Sequence, residues 1–489
     1  MSSVDSCLSL LHRRQFVIAP EPHLVEPGWK TLLLAHGLTL SASPEASVGT
    51  AIDRGGGAWT LLGNAFQAVP ERPAPLDEIA SLGTEAVIDA TYTWAGRWVL
   101  IWPESIVADA CGLLGVFYNP TETAGDFLAS SSLAIVKSLR PELSDVPRRL
   151  HYHGITWYPP PSSKIEGVKK LLPDQALSLQ TRAVTHVARA FPERFTALTT
   201  DERAELITGH LGNVLTAIAK RDGRVTLALT SGIDSRSTLA AAMASGVEVR
   251  AVTMAHPLIS KADRLIPPIV CESVNVRHDY LLPGTFDRER NALYTAHTFG
   301  NTADADRFFF AHRTFDGLQD AAWLVRSGPW AIAKAFWYAW FGDLTWEELR
   351  RRPDWVTRKH RTFSDRQRST ESLRQWIAWR DAHPEPWDWR DLWIRDQRMS
   401  GITAAIEQSL DLIDCASICA ANWAQLFDIM LAEPEAARRA KTLQMRVLEL
   451  SGTGLASIPV NPVLDSALVR HGRKGKRYVA NVADERGAS

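Results

Sequence analysis

Residues 225–246 read VTLALTSGIDSRSTLAAAMASG, and their spacing gathers hydroxyls, a glycine and a carboxylate where an anion could be held. A β-branched and leucine run from Val225 to Leu229 enters the tight polar turn Thr230-Ser231-Gly232-Ile233-Asp234-Ser235. An alanine-rich, helix-favouring segment leaves it. Such a turn can cradle phosphate, because the first N–H groups of a helix lack intrahelical partners and carry the positive end of its dipole. An ordinary strand–turn–helix with a Ser or Asp cap would use the same residues. No Gly-Lys-Ser/Thr follows, so the turn is not the lysine-bearing P-loop.

The elements around the turn must place it at a sheet edge. Thr200, Asp201 and Glu202 suit a helix start, and DERAELITGHLGNVLTAIAKR carries its leucines and isoleucines at helical spacing. Then follow the strand to Leu229, the turn, a helix to about Ser245 and a strand from Val247 to Met254. A helix near 262–273, which Pro267-Pro268 should kink or delay, precedes a strand near 278–282. Strands alternating with helices imply a parallel sheet, with ligands at the strands' carboxyl ends. The stretch 388–450 reads as helical, followed by the proline-bracketed Ile458-Pro459-Val460-Asn461-Pro462.

Residues 15–190 differ. Short apolar runs (QFVIA, KTLLLA, AWTLLG, GLLGVFYNP) alternate with Gly, Pro and Asn, which predicts a sheet-rich domain with a few helices. Trp94-Ala95-Gly96-Arg97-Trp98 reads as a hairpin corner, and 140–165 as loops. Eleven of the eighteen tryptophans fall between 323 and 393. They suit either a helical cover that anchors an extended ligand or an aromatic core.

The totals exclude some classes. With 489 residues, two to three domains are expected. Lys plus Arg (54) nearly equals Asp plus Glu (55), so no whole-chain field draws the protein to nucleic acid or membrane. No apolar run reaches the roughly 18 residues of a membrane span, and MSSVDSCLSLLHRRQF does not read as a signal peptide. Five cysteines, at 7, 111, 271, 415 and 419, suggest reduced thiols and a cytoplasmic location. Cys415 and Cys419 have no partner set for zinc and read as packing.

The turn resembles the Ser-Gly-Gly-x-Asp-Ser pyrophosphate loop of the asparagine synthetase-like ATP pyrophosphatases. Thr230 stands where that family has Ser and Ser231 where it has the first Gly, while Gly232, Asp234 and Ser235 match. Further strings fall in the family's order: Gly96-Arg97-Trp98-Val99-Leu100, Asp109-Ala110-Cys111-Gly112, Gly115-Val116-Phe117-Tyr118 and Gly167-Val168-Lys169-Lys170-Leu171-Leu172-Pro173. The resemblance implies an α+β N-terminal glutaminase-like (Ntn-type) sandwich over 1–190. An α/β parallel-sheet ATP-pyrophosphatase domain with a helical C-terminal part would follow over 191–489. It implies ATP and Mg²⁺ as cofactors, with Leu229, Thr230, Ser231, Gly232, Asp234, Ser235, Met254, Ser327 and Gly328 on the nucleotide and Asp234 on the metal. Asp263 matches a family Asp or simply caps a helix, and Lys474 (or Lys476) would reach the phosphates as a catalytic lysine.

Two departures matter. A glutaminase of this type needs Cys at the head of its processed chain, where the free α-amine activates the thiol. Here Ser2 follows Met1 and Cys7 lies inside the chain, so ammonia production is not expected. After Ser327-Gly328, Pro329-Trp330-Ala331-Ile332 supplies no carboxylate where the family binds a second magnesium. The spelling [S/T]-x-G-x-D-S-R, here with Arg236, and the tryptophan-rich segment look most like lasso-peptide cyclases. Those adenylate an Asp or Glu side chain of a precursor peptide, which the peptide's own N-terminal amine then captures as a macrolactam. A precursor-peptide protease and a leader-binding protein are the partners implied. β-Lactam synthetase, an asparagine synthetase-like small-molecule amide ligase and a non-catalytic nucleotide-fold scaffold are the alternatives. A tRNA-modifying pyrophosphatase would want a basic surface and a reactive cysteine pair, and neither is evident.

Overall fold

The computed structural model describes residues 10–23, 28–120, 126–146, 150–152, 155–223, 225–300, 304–359 and 366–462. Among them, every antiparallel strand lies between Phe16 and His186 and every parallel strand between Val225 and Cys419.

In the first part, two six-stranded antiparallel sheets stack face to face. Period-two alternation achieves this. Phe16 and Ile18 of the strand Phe16–Ala19 share a core with Val99, Ile101, Ile106 and Ala108 of the other sheet. Val17 and Ala19 turn to the opposite face and pack with the helix Leu133–Leu139. Trp94, Trp98 and Leu100 likewise pack with Ile79 and Val87, from the helices Pro75–Ser81 and Thr84–Ala90. The result is the expected sandwich, in four layers: helix, sheet, sheet, helix.

The hairpin expected at Trp94–Trp98 is absent. Those residues lie inside the strand Trp94–Trp102, which pairs with Ala58–Gln67 from Gln67↔Trp94 to Thr60↔Ile101. Gly96 has φ +119°, and a Cβ there would sit 2.2 Å from the Asn64 carbonyl oxygen. The glycine thus serves close approach rather than a turn. Its N–H donates to Asn422 O (3.1 Å) and its carbonyl accepts from Asn422 Nδ2 (2.6 Å), which ties this sheet to the second part.

The second part is a five-stranded parallel sheet in the order His278–Leu281, Val249–Met254, Val225–Ala228, Trp323–Arg326, Ala416–Cys419. The helices Thr200–Asp222, Ile233–Ala244 and Thr442–Leu450 pack on it through one large apolar core. The last strand corrects the all-helical reading of 388–450. Four buried or half-buried residues give no period by which strand and helix can be told apart. Pro267 and Pro268 lie inside the helix Lys261–Ser273 and do not end it. Pro268 has no N–H for the carbonyl of Arg264, and the Tyr280 hydroxyl donates to that carbonyl instead.

The tryptophan-rich segment is mostly core. Trp330 and Trp376 are fully buried, and Trp323, Trp337, Trp387, Trp389 and Trp393 nearly so. Two of their indole N–H groups find buried carboxylates, Trp376 on Asp396 (2.8 Å) and Trp387 on Asp428 (2.8 Å).

Residues 10–15 lead into the first strand across the second part. Gln15 Nε2 donates to Asp411 Oδ2 (2.5 Å), Arg13 to Ile413 O (3.0 Å) and Arg14 to Asp414 O (3.0 Å). Arg97 forks onto the same Asp411 at 2.5 and 2.9 Å. No helix among the described residues is long and apolar enough to cross a membrane.

Candidate functional site

The strand order creates a crevice. From Val225–Ala228 the chain crosses to the neighbour on one side, and it later returns to place Trp323–Arg326 on the other. Between the carboxyl ends of these two strands the connections diverge, which is where open α/β sheets bind ligands. Leu229–Ser235 leaves one rim and Ser327–Gly328 the other. Ser327 Oγ lies 2.8 Å from Thr238 Oγ1, which also accepts the Trp330 indole N–H at 3.2 Å and lies 3.3 Å from Asp234 O.

The bend alternates in exposure. Ser231, Ile233 and Ser235 are buried, while Thr230 is exposed and Gly232 and Asp234 half-exposed. Ser231 braces the bend: its N–H and Oγ both donate to Asp263 Oδ1 at 2.8 Å. Asp263 is itself held by Ser260 Oγ (2.8 Å) in the first turn of its helix. Ser235 Oγ accepts the Thr230 N–H at 3.1 Å, and Thr230 Oγ1 accepts the Gly232 N–H at 3.2 Å. Gly232 sits at the N-cap of Ile233–Ala244 without a capping side chain, leaving the first-turn N–H groups for an outside acceptor. Leu229 is buried, its N–H bonded to Val252 O (2.8 Å) and its carbonyl to Thr253 Oγ1 (2.9 Å). Met254, half-buried, ends the next strand and packs against the cluster of Leu281 and Phe309.

Arg236 fastens a strap across the bend. Fully buried, it donates to Ile458 O (2.6 Å), Pro459 O (2.6 Å) and Ser231 O (3.1 Å). Burial without a carboxylate partner pulls its pKa down to about 10. The strap then delivers Asn461, whose N–H donates to Ser231 O (3.1 Å) and whose side-chain amide lies 3.0 Å from Ser231 Oγ.

Sequence reasoning missed Lys334. Its Nζ lies 2.6 Å from Asp234 Oδ2. The signal was present: Lys334 is the single lysine of the aromatic stretch 323–345. Lys334 and Asn461 also line a cavity of about 530 Å³, together with Trp337, Arg398, Arg438, Arg439 and Lys441. Asp234 Oδ1 is buried and has no hydrogen-bond partner. One carboxylate oxygen is thus open to a cation, and one or two carboxylates with phosphates and water are the usual magnesium set. The residues fit one Mg²⁺ at Asp234. They do not fit a second, because Pro329–Ile332 brings no carboxylate and an ammonium stands beside Oδ2. Lys474, like Lys476, Ser2 and Cys7, lies outside the described residues.

Other chemistry is poorly supported. Cys111, Cys271, Cys415 and Cys419 are free and buried, and burial raises each thiol, Cys271 to about 12 and Cys415 to about 11. None is a thiolate nucleophile at neutral pH. Asp174, His186 and Glu385 come within metal-ligand reach of one another, but Arg380 pairs with both carboxylates, at 2.5 Å on Asp174.

No family model matches the sequence, and no curated protein matches it. Among solved structures, the chain is similar to one described as the allosteric regulatory enzyme of purine biosynthesis, at 8% identity and TM-score 0.22 over 57% of this chain and 77% of that one. It is also similar to the glutamine phosphoribosylpyrophosphate amidotransferase from B. subtilis complexed with ADP and GMP, at 7% identity and TM-score 0.21 over 58% and 62%. TM-scores this low assign neither fold nor activity, which rest on the geometry above.

Proposed function

We propose that the protein is an ATP-dependent, AMP-forming amide ligase. One observation carries the reading: the uncapped helix start and bend at 230–235 sit in the switch-point crevice of a parallel sheet, with Lys334 against Asp234. In the reaction, a substrate carboxylate oxygen attacks the α-phosphorus of ATP. The bond to the bridging oxygen breaks, and pyrophosphate leaves with the electron pair. An amine then attacks the acyl carbon, AMP departs, and the amine's proton is lost to solvent or a base. The first-turn N–H groups and Thr230 Oγ1 would hold the phosphates, and Lys334 would meet the charge that develops on the leaving group. Mg²⁺ at Asp234, when bound, would add charge neutralisation there. Arg236, Asp263 and Asn461 keep the bend in shape. Orientation and exclusion of water would then favour the amine over hydrolysis.

The substrate class we favour is a peptide that closes on itself as a macrolactam, with β-lactam or small-molecule amide formation as alternatives. Purified protein is incubated with ATP, Mg²⁺ and the precursor peptide and protease encoded beside it, and the product is weighed. A product one water lighter with AMP released is expected, whereas ADP release would sink the assignment. A second reading, a nucleotide-fold scaffold without turnover, draws on the Ser231 N–H being already taken by Asp263 and on the missing carboxylates after Gly328. It predicts no exchange of labelled pyrophosphate into ATP with any acid.

A further inference from the structure

The front sandwich leaves both its sheets open on one side. Lys30–Leu33 is the last strand of one sheet and Val48–Ile52 the last strand of the other. Both line a groove of about 590 Å³, which places the two edges side by side. The sheets do not end level. Val48 packs into the core between them, and alternation turns Thr50 and Ile52 to the same inner face. Thr50 is nonetheless exposed, and Ile52 is 66% exposed. Leu32 and Leu34, which face that core from the other sheet, are only half-buried. The sheet that ends at Lys30–Leu33 therefore stops short of covering its neighbour.

The edge itself is open to pairing. Leu34 donates its N–H to Leu38 O (2.7 Å), and bonds alternate along an antiparallel ladder. Leu32 thus turns its main-chain groups inward to Leu40, while Thr31 and Leu33 turn theirs outward. Among the described residues no strand takes them. Native edges are normally blunted by charge, proline or a bulge. Lys30–Leu33 has neither proline nor bulge, and its one charge stands at its start. No residue lining the groove is charged, and Leu33 is 76% exposed. An uncharged apolar patch on a sheet edge marks an interaction surface.

We propose that this edge pairs with the same edge of a second copy of the chain, Lys30–Leu33 running antiparallel to its own counterpart about a two-fold axis. The inference is independent of the nucleotide reading of the bend. Three observations select a second copy as the occupant. With the two Leu32 residues facing each other at the axis, Thr31 and Leu33 bond the partner's Leu33 and the partner's Thr31, the residues whose main chain points outward. The same register keeps the inner faces continuous, so that the partner's Leu32 and the partner's Leu34 extend the cover over Thr50 and Ile52. A two-fold axis also sets like against like, which a charged patch would resist and this uncharged one permits. In this register Lys30 and the partner's Lys30 stand about 13 Å apart along the strands.

The test is sedimentation velocity on the full chain from about 1 to 100 µM, where a concentration-dependent dimer is expected. Thr31→Pro removes an outward N–H at an edge position where a strand tolerates proline, and should weaken the dimer at least tenfold. Thr31→Val keeps that N–H and should dimerise within about threefold of the parent. Ile52→Lys puts a charge on the uncovered face and should also weaken the dimer at least tenfold. It serves as the measure should Thr31→Pro fail to fold by circular dichroism. A parent that stays monomeric across the range would overturn the proposal and leave the groove to a different partner. So would a dimer that Thr31→Pro and Ile52→Lys both leave intact, since the copies would then meet elsewhere. Equal loss in Thr31→Val and Thr31→Pro would assign the contact to the side chain and overturn the edge-to-edge pairing.

Discussion

Two groups of charged side chains in this molecule behave differently. At the seam between the two parts, Arg380 and Arg395 lie 2% and 4% exposed among Asp174, Glu385 and Asp396. Arg395 meets Glu385 at 2.7 Å and Asp396 at 2.8 Å, and Trp379 and Trp376 donate to Asp174 and Asp396. Each carboxylate there is answered by guanidinium or indole, and the cluster is closed. Around the cavity beside the bend, Lys334, Arg438 and Arg439 are answered by Asp234, Asp391 and Glu435, while Lys441 lines the hollow with no ion-pair partner among the described residues. Saturated charge holds a fold together, whereas unsaturated charge facing a hollow waits for a ligand.

The largest expected effect comes from opening the closed cluster. Arg380→Met leaves three carboxylates to Arg395 alone, and loss of one partner of a buried ion pair typically destabilises by about 3–5 kcal/mol. Urea unfolding should show this drop. Lys441→Asn on the open side should shift the same midpoint by under about 0.5 kcal/mol. If the two losses were equal, the contrast would fail.

A smaller effect is expected at the strap. Arg236→Met removes a buried guanidinium from three carbonyls, at about 1.5–3 kcal/mol for a charged hydrogen bond, partly offset because no buried charge remains. The sharper readout is limited proteolysis, with new cleavage near 458–461. Protection equal to the parent would show that the strap is held by something else.

Taken per pH unit, the smallest effect is a pH dependence. His297 is fully buried, with Nε2 at 3.0 Å from Gln408 O and Nδ1 accepting the His12 N–H at 3.2 Å, and burial pulls its pKa down to about 4. Its folded pKa lies below the unfolded value near 6.5, so the unfolded chain binds the extra proton. Its contribution is complete above pH 6.5 and falls away as pH drops toward 4, with a slope of at most about 1.4 kcal/mol per pH unit. His297→Asn should flatten the parent's profile by up to one proton over that window. An unchanged slope would mean that the ring is already charged in the fold.

What the sequence disclosed followed from contiguity. The bend at 230–235 is six adjacent residues whose types state their geometry, and the alternation of strand and helix around it fixed a parallel sheet. The sandwich was legible from its short apolar runs. Lys334, Lys441 and Asn461 were not, because they lie about a hundred residues or more from the bend and only the strand order brings them there. Gly96 misled because a glycine between tryptophans suggests a turn equally well as a place where two backbones touch. The strand Ala416–Cys419 was hidden because four residues carry no period. The tryptophans could be placed only once their indole partners were visible.

The path of residues 10–15 has a consequence for the front sandwich. Phe16 opens the first strand, and its nitrogen is an amide that accepts no proton. Gln15 before it is clamped on Asp411, together with Arg97. Whatever stands at the head of that strand is therefore peptide-linked on both sides and walled in by its own leader. The sandwich thereby meets the sheet that carries the bend at two places, through Gln15 and Arg97 on Asp411 and through Gly96 on Asn422.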